Sequence, residues 1–540
     1  MNKKYVLGAI VLVLGLTVGA TILLMKQSTP SLQEEISSFV GGTGDVALGD
    51  ISYQEQALPQ EHVFDKTNAS PLVGSAVADI DGDGIEEVFI GGGHGQNDVW
   101  YRYTEEMFVN VTGLFGWTKG APTAATYGTA IVDYDSDTDV DVFVARVDGI
   151  FYYQNNGGKF LPEQKVEAFI EQDAVPTSIT LSDLNFDGNV DLFVTTYLRH
   201  DKIEGSNIFN KQSHGTLDKL LIGKGNLVFE DQTESFGLTY RHNTFMGTFV
   251  NIDEDTDVDL VIADDTGFVR IYENQNGKQF SLVTGTPWEN RYGYPMGIGV
   301  GDIDNNGFPD FFFSNTGKGI PEFLLRGDLR KEQVLLASWT LLMNQGKRQF
   351  TDGTNLVNKK DHPFGWGAVI ADIEGNDRED IIVSENYIKL LQHKLKPSPG
   401  SVFVQDQDGK LQDVTSILKV TNPQFSLSSL VSDWNQDGIL DIVWVNISGQ
   451  SKFYQSRVVG EYPGKAVVRV PLDPQYFGAK VEVTWNTDEK KSWLVVPSEG
   501  LGSSQTHQKI LFSQGKKLKE VTVTLTNGAK EQVSSWYINQ

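Results

Sequence analysis

The sequence contains no cysteine. Disulfide bonds, a thiol nucleophile, zinc ribbons and iron–sulfur clusters are therefore excluded. Basic residues are also scarce, because 44 Lys and Arg stand against 71 Asp and Glu, for a formal net charge of −27. Such a chain offers no broad basic surface to a phosphate backbone or to anionic lipid. We expect no nucleic-acid partner.

Common catalytic motifs are missing as well. The strings His-Glu-x-x-His, Gly-x-Ser-x-Gly and Gly-x-x-x-x-Gly-Lys-Ser/Thr do not occur, and the eight histidines are scattered singly. What is present is a 540-residue chain with 39% hydrophobic residues, 55 glycines and many aromatics. Its length allows two to four domains, and this composition is typical of many short strands joined by tight turns.

The N-terminus carries a candidate membrane segment. Residues 5–25 contain no charged side chain, and these 21 positions could span the ~30 Å of a bilayer core as a helix. Lys3 and Lys4 precede the segment, which predicts a cytoplasmic N-terminus and an exported remainder. We predict a signal-anchor transmembrane helix over residues 1–26 and a flexible linker over 27–57. The bulk of the protein would then be periplasmic or extracellular, or secreted if the segment is cleaved after Ala20.

One nine-residue pattern of carboxylates recurs seven times between residues 79 and 441. Each copy places oxygen-bearing side chains at positions 1, 3, 5 and 9, and an apolar run typical of a strand follows it. The seven windows hold 29 of the acidic residues and a single basic residue, Arg378. A charged surface without a common purpose would scatter its acids instead of confining them to regular windows.

These windows predict metal loops. A hard cation such as Ca²⁺ takes six to eight oxygens, and alternate side chains of a curled loop can supply them with help from the backbone carbonyl at position 7. Mg²⁺ fits less well, and an EF-hand is excluded because a strand-like run follows position 9. We therefore expect up to seven structural Ca²⁺ ions. The predicted ligands are Asp79, Asp81, Asp83, Ile85 and Glu87; Asp133, Asp135, Asp137, Asp139 and Asp141; Asp183, Asn185, Asp187, Asn189 and Asp191; Asn251, Asp253, Asp255, Asp257 and Asp259; Asp302, Asp304, Asn306, Phe308 and Asp310; Asp372, Glu374, Asn376, Arg378 and Asp380; and Asp433, Asn435, Asp437, Ile439 and Asp441.

Some windows depart from the pattern. Thr138 and Thr256 stand at position 6, where a glycine is expected. A β-branched side chain resists the positive φ that a tight turn needs at this position. The window at 372 carries Glu374, Asp377 and Arg378 and is the least regular of the seven.

The surroundings of each window indicate about four strands per unit. Small residues and a β run lead in, and a polar Gly-Lys hairpin signal such as 156–160 follows. Seven four-stranded units in tandem close naturally into a β-propeller. The windows resemble the FG-GAP/VCBS repeats of integrin α-subunit propellers and of exported bacterial proteins. The resemblance covers residues 58–457 and implies a seven-bladed β-propeller with calcium bound in the blades.

The acidic windows stop after residue 457. Alternating runs over 458–540 predict a small, β-sandwich-like domain, so the whole fold is all-β. The strings at 500–505, 510–515 and 521–528 resemble the ASPIC/UnbV domain, which follows such repeats in the cartilage acidic protein family. A cap on the last blade and a binding role both remain open for it.

Two functions are compatible with these features. The first is a non-catalytic binding or adhesion module with a protein or glycan ligand, since loops on a rigid scaffold are where partners dock. Its longest insertions, 199–219 and 316–333, are the first candidates for docking. The alternative is an extracytoplasmic enzyme, a hydrolase, lyase or dehydrogenase, with a site in the propeller channel. No catalytic or cofactor-binding residue is predicted.

Overall fold

The computed structural model describes residues 48–63, 70–121, 124–202, 215–253, 255–317, 322–326, 329–359, 362–386, 398–459, 464–513 and 515–539. The predicted signal-anchor and residues 27–47 of the linker lie outside these ranges. In the described part of the chain, no helix is long and apolar enough to cross a membrane.

The protein is all-β, as the sequence predicts. Each acidic window lies between the first two strands of an antiparallel sheet, and in sheets 2, 3 and 4 every residue of the first strand is buried. The first strands, in chain order, are β1 (Ile51–His62); sheet 1 with β2 (Ser75–Ala78), β3 (Glu87–Ile90), β4 (Val99–Thr104) and β5 (Met107–Asn110); sheet 2 with β6 (Thr126–Val132), β7 (Asp141–Arg146), β8 (Gly149–Tyr153) and β9 (Gln164–Val166); sheet 3 with β10 (Ala174–Ser182), β11 (Asp191–Leu198), β12 (Lys219–Gly223) and β13 (Phe229–Asp231); and sheet 4 with β14 (Asn243–Val250), β15 (Asp259–Asp265), β16 (Val269–Asn274) and β17 (Phe280–Leu282).

Three further sheets of the same kind follow, with small additions between them. They are sheet 5 with β19 (Ile298–Gly301), β20 (Asp310–Phe313), β22 (Thr340–Asn344) and β23 (Phe350–Asp352); sheet 6 with β25 (Gly365–Ala371), β26 (Asp380–Glu385), β27 (Ser401–Gln405) and β28 (Leu411–Asp413); and sheet 7 with β29 (Phe425–Ser432), β30 (Asp441–Val458) and β1. The additions are β18 (Arg291–Tyr292), β21 (Val334–Leu335), β24 (Val357–Asn358), the helices α1 (Glu322–Leu325) and α2 (Thr415–Leu418), and 3-10 turns at Leu48–Asp50, His200–Lys202, Thr354–Leu356 and Pro474–Tyr476.

The first strands of these seven sheets contact one another in a closed cycle. The contacts run β2–β6–β10–β14–β19–β25–β29 and return to β2. Apolar side chains fill the space between neighbouring sheets, as where Trp100 stacks on Phe160 with ring centroids 5.7 Å apart. Buried aromatic pairs of this kind add about 0.5–1.5 kcal/mol beyond their burial. The arrangement is consistent with a β-propeller.

Sheet 7 joins the two ends of the repeat region. The first half of β30 pairs with β29, and its second half pairs with β1 from Ile51↔Val458 to His62↔Gly449. Residues 51–57, which the sequence analysis assigns to the linker, therefore belong to a strand. The alternation of polar residues in this segment did not indicate a strand, because the pairing partner, the second half of β30, lies at the far end of the repeat region.

The C-terminal part forms two more sheets. Sheet 8 contains β31 (Lys465–Arg469), β35 (Gln508–Phe512) and β38 (Tyr537–Asn539), and sheet 9 contains β32 (Lys480–Trp485), β33 (Lys490–Leu494), β36 (Leu518–Thr524) and β37 (Lys530–Gln532). Their inward side chains, among them Val468, Val481 and Val523, share one apolar cluster with residues of sheets 2 and 3. The C-terminal domain is therefore packed directly against the ring.

The axis of the ring is occupied by residues 497–506, here called the axial loop. It contains β34 (Ser503–Ser504), which pairs in parallel with β2, and Gly500 bridges both Ile298 of sheet 5 and Ala368 of sheet 6. Hydrogen bonds to the loop also come from sheet 2 (Thr129 N to Gly502 O, 3.1 Å), and from sheet 4 (Thr248 Oγ1 to Ser498 O, 2.8 Å). In sheet 7, Gln505 Nε2 donates to Ser429 O. The loop thus bonds six of the seven inner strands.

Candidate metal centres

The seven acidic loops share one hydrogen-bonded frame. In every loop the carboxylate at position 9 accepts the backbone N–H of position 2 at 2.8–3.1 Å. Its other oxygen accepts a backbone N–H of the same sheet at 2.6–2.9 Å in six sheets, and the Arg102 Nε at 2.7 Å in sheet 1. The donor lies on the third strand in sheets 3 to 6, just after β8 in sheet 2 and in the second half of β30 in sheet 7. Position 9 therefore ties each loop to its own sheet, which is why these side chains are fully buried.

The carboxylate at position 1 curls the loop. In six of the loops, those at 79, 133, 183, 302, 372 and 433, one of its oxygens accepts the N–H of position 6 at 2.8–3.0 Å. Position 6 is left-handed in all six, and Thr138 takes φ +78° despite its β-branched side chain. Thr256, in the remaining loop, is not among the residues with positive φ. The tight curl turns alternate side chains toward one centre.

Carboxylate oxygens converge in four of the loops. Sets of three lie within 4.8 Å of one another, and they are Asp79, Asp81 and Glu87; Asp133, Asp135 and Asp137; Asp253, Asp255 and Glu273; and Asp302, Asp304 and Asp310. Two loop oxygens, Asp257 Oδ1 and Asp433 Oδ1, are buried without a hydrogen-bond partner. Buried unpaired carboxylate oxygens are costly, so both atoms fit the ligand shell of a hard cation.

The loops differ in how far the protein itself neutralises them. Among the described residues, no ion pair joins a Lys or Arg to a carboxylate of the loops at 133 and 183, whereas Lys480 Nζ reaches the loop at 302 and donates to Gly307 O at 3.4 Å. Carboxylates about 4 Å apart repel by roughly a few kcal/mol per pair at an effective dielectric near 20. The loops at 133 and 183 therefore depend most on a bound cation for neutralisation.

Burial raises the pKa of the position-9 carboxyls. Desolvation raises the pKa of Glu87, Asp141 and Asp191 to about 7 and that of Asp310 to about 8, and neighbouring loop carboxylates act in the same direction. Without a cation, burial therefore favours the protonated form of these carboxyls up to a higher pH than for an exposed carboxyl. A divalent ion would favour the ionised form of the same groups.

The C-terminal domain covers the face that carries these loops. Lys465 Nζ bonds Asp433 Oδ2 at 2.7 Å, Lys491 Nζ bonds Asp377 Oδ1 at 2.9 Å and Lys509 Nζ bonds Glu379 Oε1 at 2.6 Å. Arg469 Nη2 donates to Gly84 O, and Asp133 N donates to Leu472 O. The irregular loop at 372 thus meets two lysines of the C-terminal domain in addition to its own Arg378.

Two features of this region were not evident in the sequence. Glu273, on β16, joins the cluster of Asp253 and Asp255 although it lies outside every nine-residue window. Only the register of β16 against β15, where Leu260 pairs with Tyr272, places it there. The covering of the loop face depends on contacts between residues that are far apart in sequence.

The insertions 199–219 and 316–333 lie partly outside the described residues, namely at 203–214, 318–321 and 327–328.

Comparisons with known proteins identify the repeats in part. A family model described as FG-GAP-like repeat matches residues 133–194 and 251–313, which contain the loops at 133, 183, 251 and 302. No curated protein matches the chain. Two similar solved structures are crystals of BBS1N in complex with ARL6DN, one soaked with mercury (TM-score 0.42, 10% identity, covering 75% of this chain and 96% of that chain) and one soaked with lead (TM-score 0.41, 11% identity, covering 74% and 97%).

Proposed function

We propose that this protein is an exported, membrane-anchored, calcium-binding β-propeller of seven blades that acts as a non-catalytic binding or adhesion module. The observation that carries the proposal is the single hydrogen-bonded frame repeated in all seven acidic loops, with position 9 fixed to the sheet and alternate oxygens turned inward. The closed cycle of inner strands supports seven blades, and FG-GAP-like repeats on such a fold suggest an interaction module.

Calcium would have a structural role. The side chains at positions 1, 3, 5 and 9 and the carbonyl at position 7 would hold the ion, which would supply the charge that the clustered carboxylates lack. At about 1 mM free calcium and a site constant of about 0.1 mM, each independent site would stabilise the fold by about 1.4 kcal/mol. Several sites together would contribute on the order of 10 kcal/mol, which is comparable with the net stability of a whole domain.

A partner would dock on the face opposite the acidic loops. The C-terminal domain contacts the loop face through Lys465, Lys491 and Lys509, so that face is largely in use. The connections on the other face include the two longest insertions, and loops on a rigid scaffold commonly carry recognition. We propose a protein or glycan ligand for this face.

The alternative of an enzyme with a site in the channel is less well supported. The axial loop fills the axis and bonds six of the seven inner strands. A substrate in the channel would have to share the axis with this loop. The described structure therefore favours recognition on the outer surface over chemistry in the channel.

The remaining assignments rest on the sequence. Residues 458–540 are proposed as an ASPIC/UnbV-like domain from the strings at 500–505, 510–515 and 521–528, and the two sheets packed on the ring are compatible with a capping role. The signal-anchor over 1–26 is proposed from its uncharged run and its preceding lysines. Periplasmic or extracellular localisation follows from that anchor.

The binding role is tested with the immobilised full chain, incubated with envelope or matrix extracts in calcium and in excess chelator. In calcium we expect at least one protein or glycan to be retained stoichiometrically. Added soluble chain should compete with the immobilised chain for this ligand. Binding should be lost when surface residues of the face opposite the loops are substituted. Turnover of a hydrolase, lyase or dehydrogenase substrate by the purified chain would contradict a non-catalytic role.

A further inference from the structure

The fourth acidic loop, residues 251–259, is built differently from the other six. Its position 1 is Asn251, whose Nδ2 donates to Asp255 O at 2.9 Å and whose Oδ1 accepts the N–H of Asp253 at 3.2 Å. In the other six loops an aspartate at position 1 instead accepts the N–H of a left-handed position 6. The fourth loop therefore lacks the carboxylate that begins the predicted ligand set, and its cation would need another source of oxygen.

Glu273 stands where it can supply that oxygen. It lies on β16 one residue after Tyr272, which pairs with Leu260. The equivalent residue in sheet 2, Gln154, reaches Asp135 at loop position 3, and the equivalent in sheet 1, Arg102, reaches Asp81. This strand position thus points at position 3 of the loop. Among the described strands the seven occupants are Arg102, Gln154, Ile222, Glu273, Met343, Val404 and Gln455, so Glu273 alone brings a carboxylate.

A second, independent feature of this loop points to a ligand. Asp257 is only 1% exposed, and its Oδ1 has no hydrogen-bond partner although its Oδ2 accepts the N–H of Asn276 at 2.7 Å. Asp253 and Asp255, which converge with Glu273, lie close enough to act on its charge. Gly478 of the C-terminal domain packs directly against Val258 and helps to keep solvent away. A buried carboxylate oxygen without a donor, beside further carboxylates, is the expected state of a metal ligand shown without its metal.

Arg348 is the cation that the chain itself brings to this cluster. It lies in the turn before β23, forms an ion pair with Glu273, and its Nε is 3.5 Å from Asp253 Oδ2. Its side chain is 44% exposed, so it can leave the cluster for solvent without burying a charge. A long exposed arginine is a weak competitor for carboxylates that a divalent ion can bind directly.

From these observations we propose that the fourth loop binds its cation through the side chains of Asp253, Asp255, Asp257 and Glu273, and that Arg348 stands in for the ion when it is absent. The ion would be a hard divalent cation, with calcium the best fit to four carboxylates of flexible geometry. The proposal rests on the calcium-binding function proposed above. It adds Glu273 and the Asp257 side chain to the ligands and removes Asn251 from them.

The test measures calcium bound per full-length chain by equilibrium dialysis with metal analysis over a series of free calcium concentrations. E273Q and D257N should each weaken one site at least tenfold and leave the others unchanged. R348Q should tighten the same site several-fold because a competing cation is removed. The matched control is E230Q, which neutralises an exposed glutamate of β13 that pairs with Lys224 outside every acidic loop, and it should leave the number of ions and their affinities unchanged.

The outcomes separate this proposal from the one on which it rests. If D255N loses one ion while E273Q binds the wild-type number with wild-type affinities, Glu273 is not a ligand and the inference is overturned. If the wild-type chain binds no calcium at any concentration, the proposed function itself fails. Thermal unfolding in excess chelator serves as the folding control. E273Q should melt there close to the wild-type temperature, because the side chain is isosteric and one member of a repelling cluster has been neutralised.

Discussion

At the scale of single residues, the acidic loops show where sequence and geometry disagree. Thr138 takes φ +78° so that its N–H can reach Asp133 Oδ2 at 3.0 Å. The left-handed region costs a β-branched residue roughly 1–2 kcal/mol. The loop accepts this strain because the alternative is an unsatisfied carboxylate at its first position.

A pair of substitutions tests this strain. Thr138→Gly should stabilise the protein by about 1 kcal/mol, because glycine adopts positive φ without steric cost. Thr256→Gly is the matched control, since Thr256 occupies the same loop position without positive φ. It should be neutral or destabilising through added freedom of the unfolded chain. Denaturant unfolding in calcium measures both, and equal effects of the two changes would contradict the account.

Glu499, in the axial loop, gives a prediction for pH. It is buried, its Oε1 accepts the N–H groups of Val300 and Ile370, and burial raises its pKa to about 8. The folded protein therefore holds a proton that the unfolded chain releases near the ordinary carboxyl value. The stabilising contribution is full at the lowest pH and is lost as pH rises through about 8.

The corresponding experiment compares wild type with Glu499→Gln in excess calcium. Between pH 5 and pH 8 the unfolding free energy of wild type should fall relative to that of the variant, by a few kcal/mol at most at ~1.4 kcal/mol per pKa unit. The glutamine carbonyl can still accept both N–H groups but does not titrate. Denaturant titrations at several pH values measure the difference, and parallel pH profiles would show that Glu499 does not titrate in the folded state.

At the scale of elements, the axial loop and β1 hold the ring from inside and outside. Gly500 takes φ +96°, and a Cβ added there would overlap Ser503 Oγ of the same loop and lie 2.7 Å from Ser428 Oγ of sheet 7. Gly515 takes φ +80° with nothing within 4 Å of an added Cβ. The two glycines share a backbone requirement and differ in packing.

This contrast makes a direct test of the axial loop. Gly515→Ala should cost about 1 kcal/mol for its backbone alone, whereas Gly500→Ala should cost roughly 2–3 kcal/mol more, because the added methyl group overlaps Ser503 of the loop and Ser428 of sheet 7 and one of them must shift. Denaturant unfolding of the two variants measures the difference. Equal losses would mean that the axial loop does not support the ring.

Strand β1 can be tested by truncation. A chain that begins at residue 64 would leave the second half of β30 as an exposed edge, since β1 is its partner. We expect it to melt below a chain that begins at residue 48 and to aggregate more readily, and a synthetic peptide of residues 48–63 should restore stability in trans. If the two chains melt together, β1 does not close sheet 7.

The sequence predicted some of these elements and missed others for a physical reason. The seven acidic loops could be predicted from the sequence because the residues at positions 1 to 9 contact one another within a single curled loop. The all-β fold followed from the same local spacing. β1 and the axial loop could not be read, since Ile51 pairs with Val458 and Gly500 bridges Ile298. Glu273 was missed because strand register, not sequence distance, brings it to Asp253.

At the scale of the whole molecule, charge ties the parts together. The seven windows hold 29 of the 71 acidic residues and one basic residue, so their net charge of −28 accounts for the formal net charge of −27 of the whole chain. The C-terminal domain places lysines against the carboxylates of the loop face and extends the axial loop along the axis. Cation binding in the loops and the lysines of this domain both relieve repulsion on the same face, so they compete where a lysine pairs with a predicted ligand, as Lys465 does with Asp433.

The most direct measurement of the central claim is thermal unfolding of the full chain in 1 mM calcium, in the same concentration of magnesium, and in excess chelator. We predict that calcium raises the melting temperature substantially over chelator and that magnesium does so much less. On the order of 10 kcal/mol of binding free energy would favour the folded state in calcium. Coincident melting curves in all three conditions would contradict the proposal that the acidic loops are calcium sites that hold the ring together.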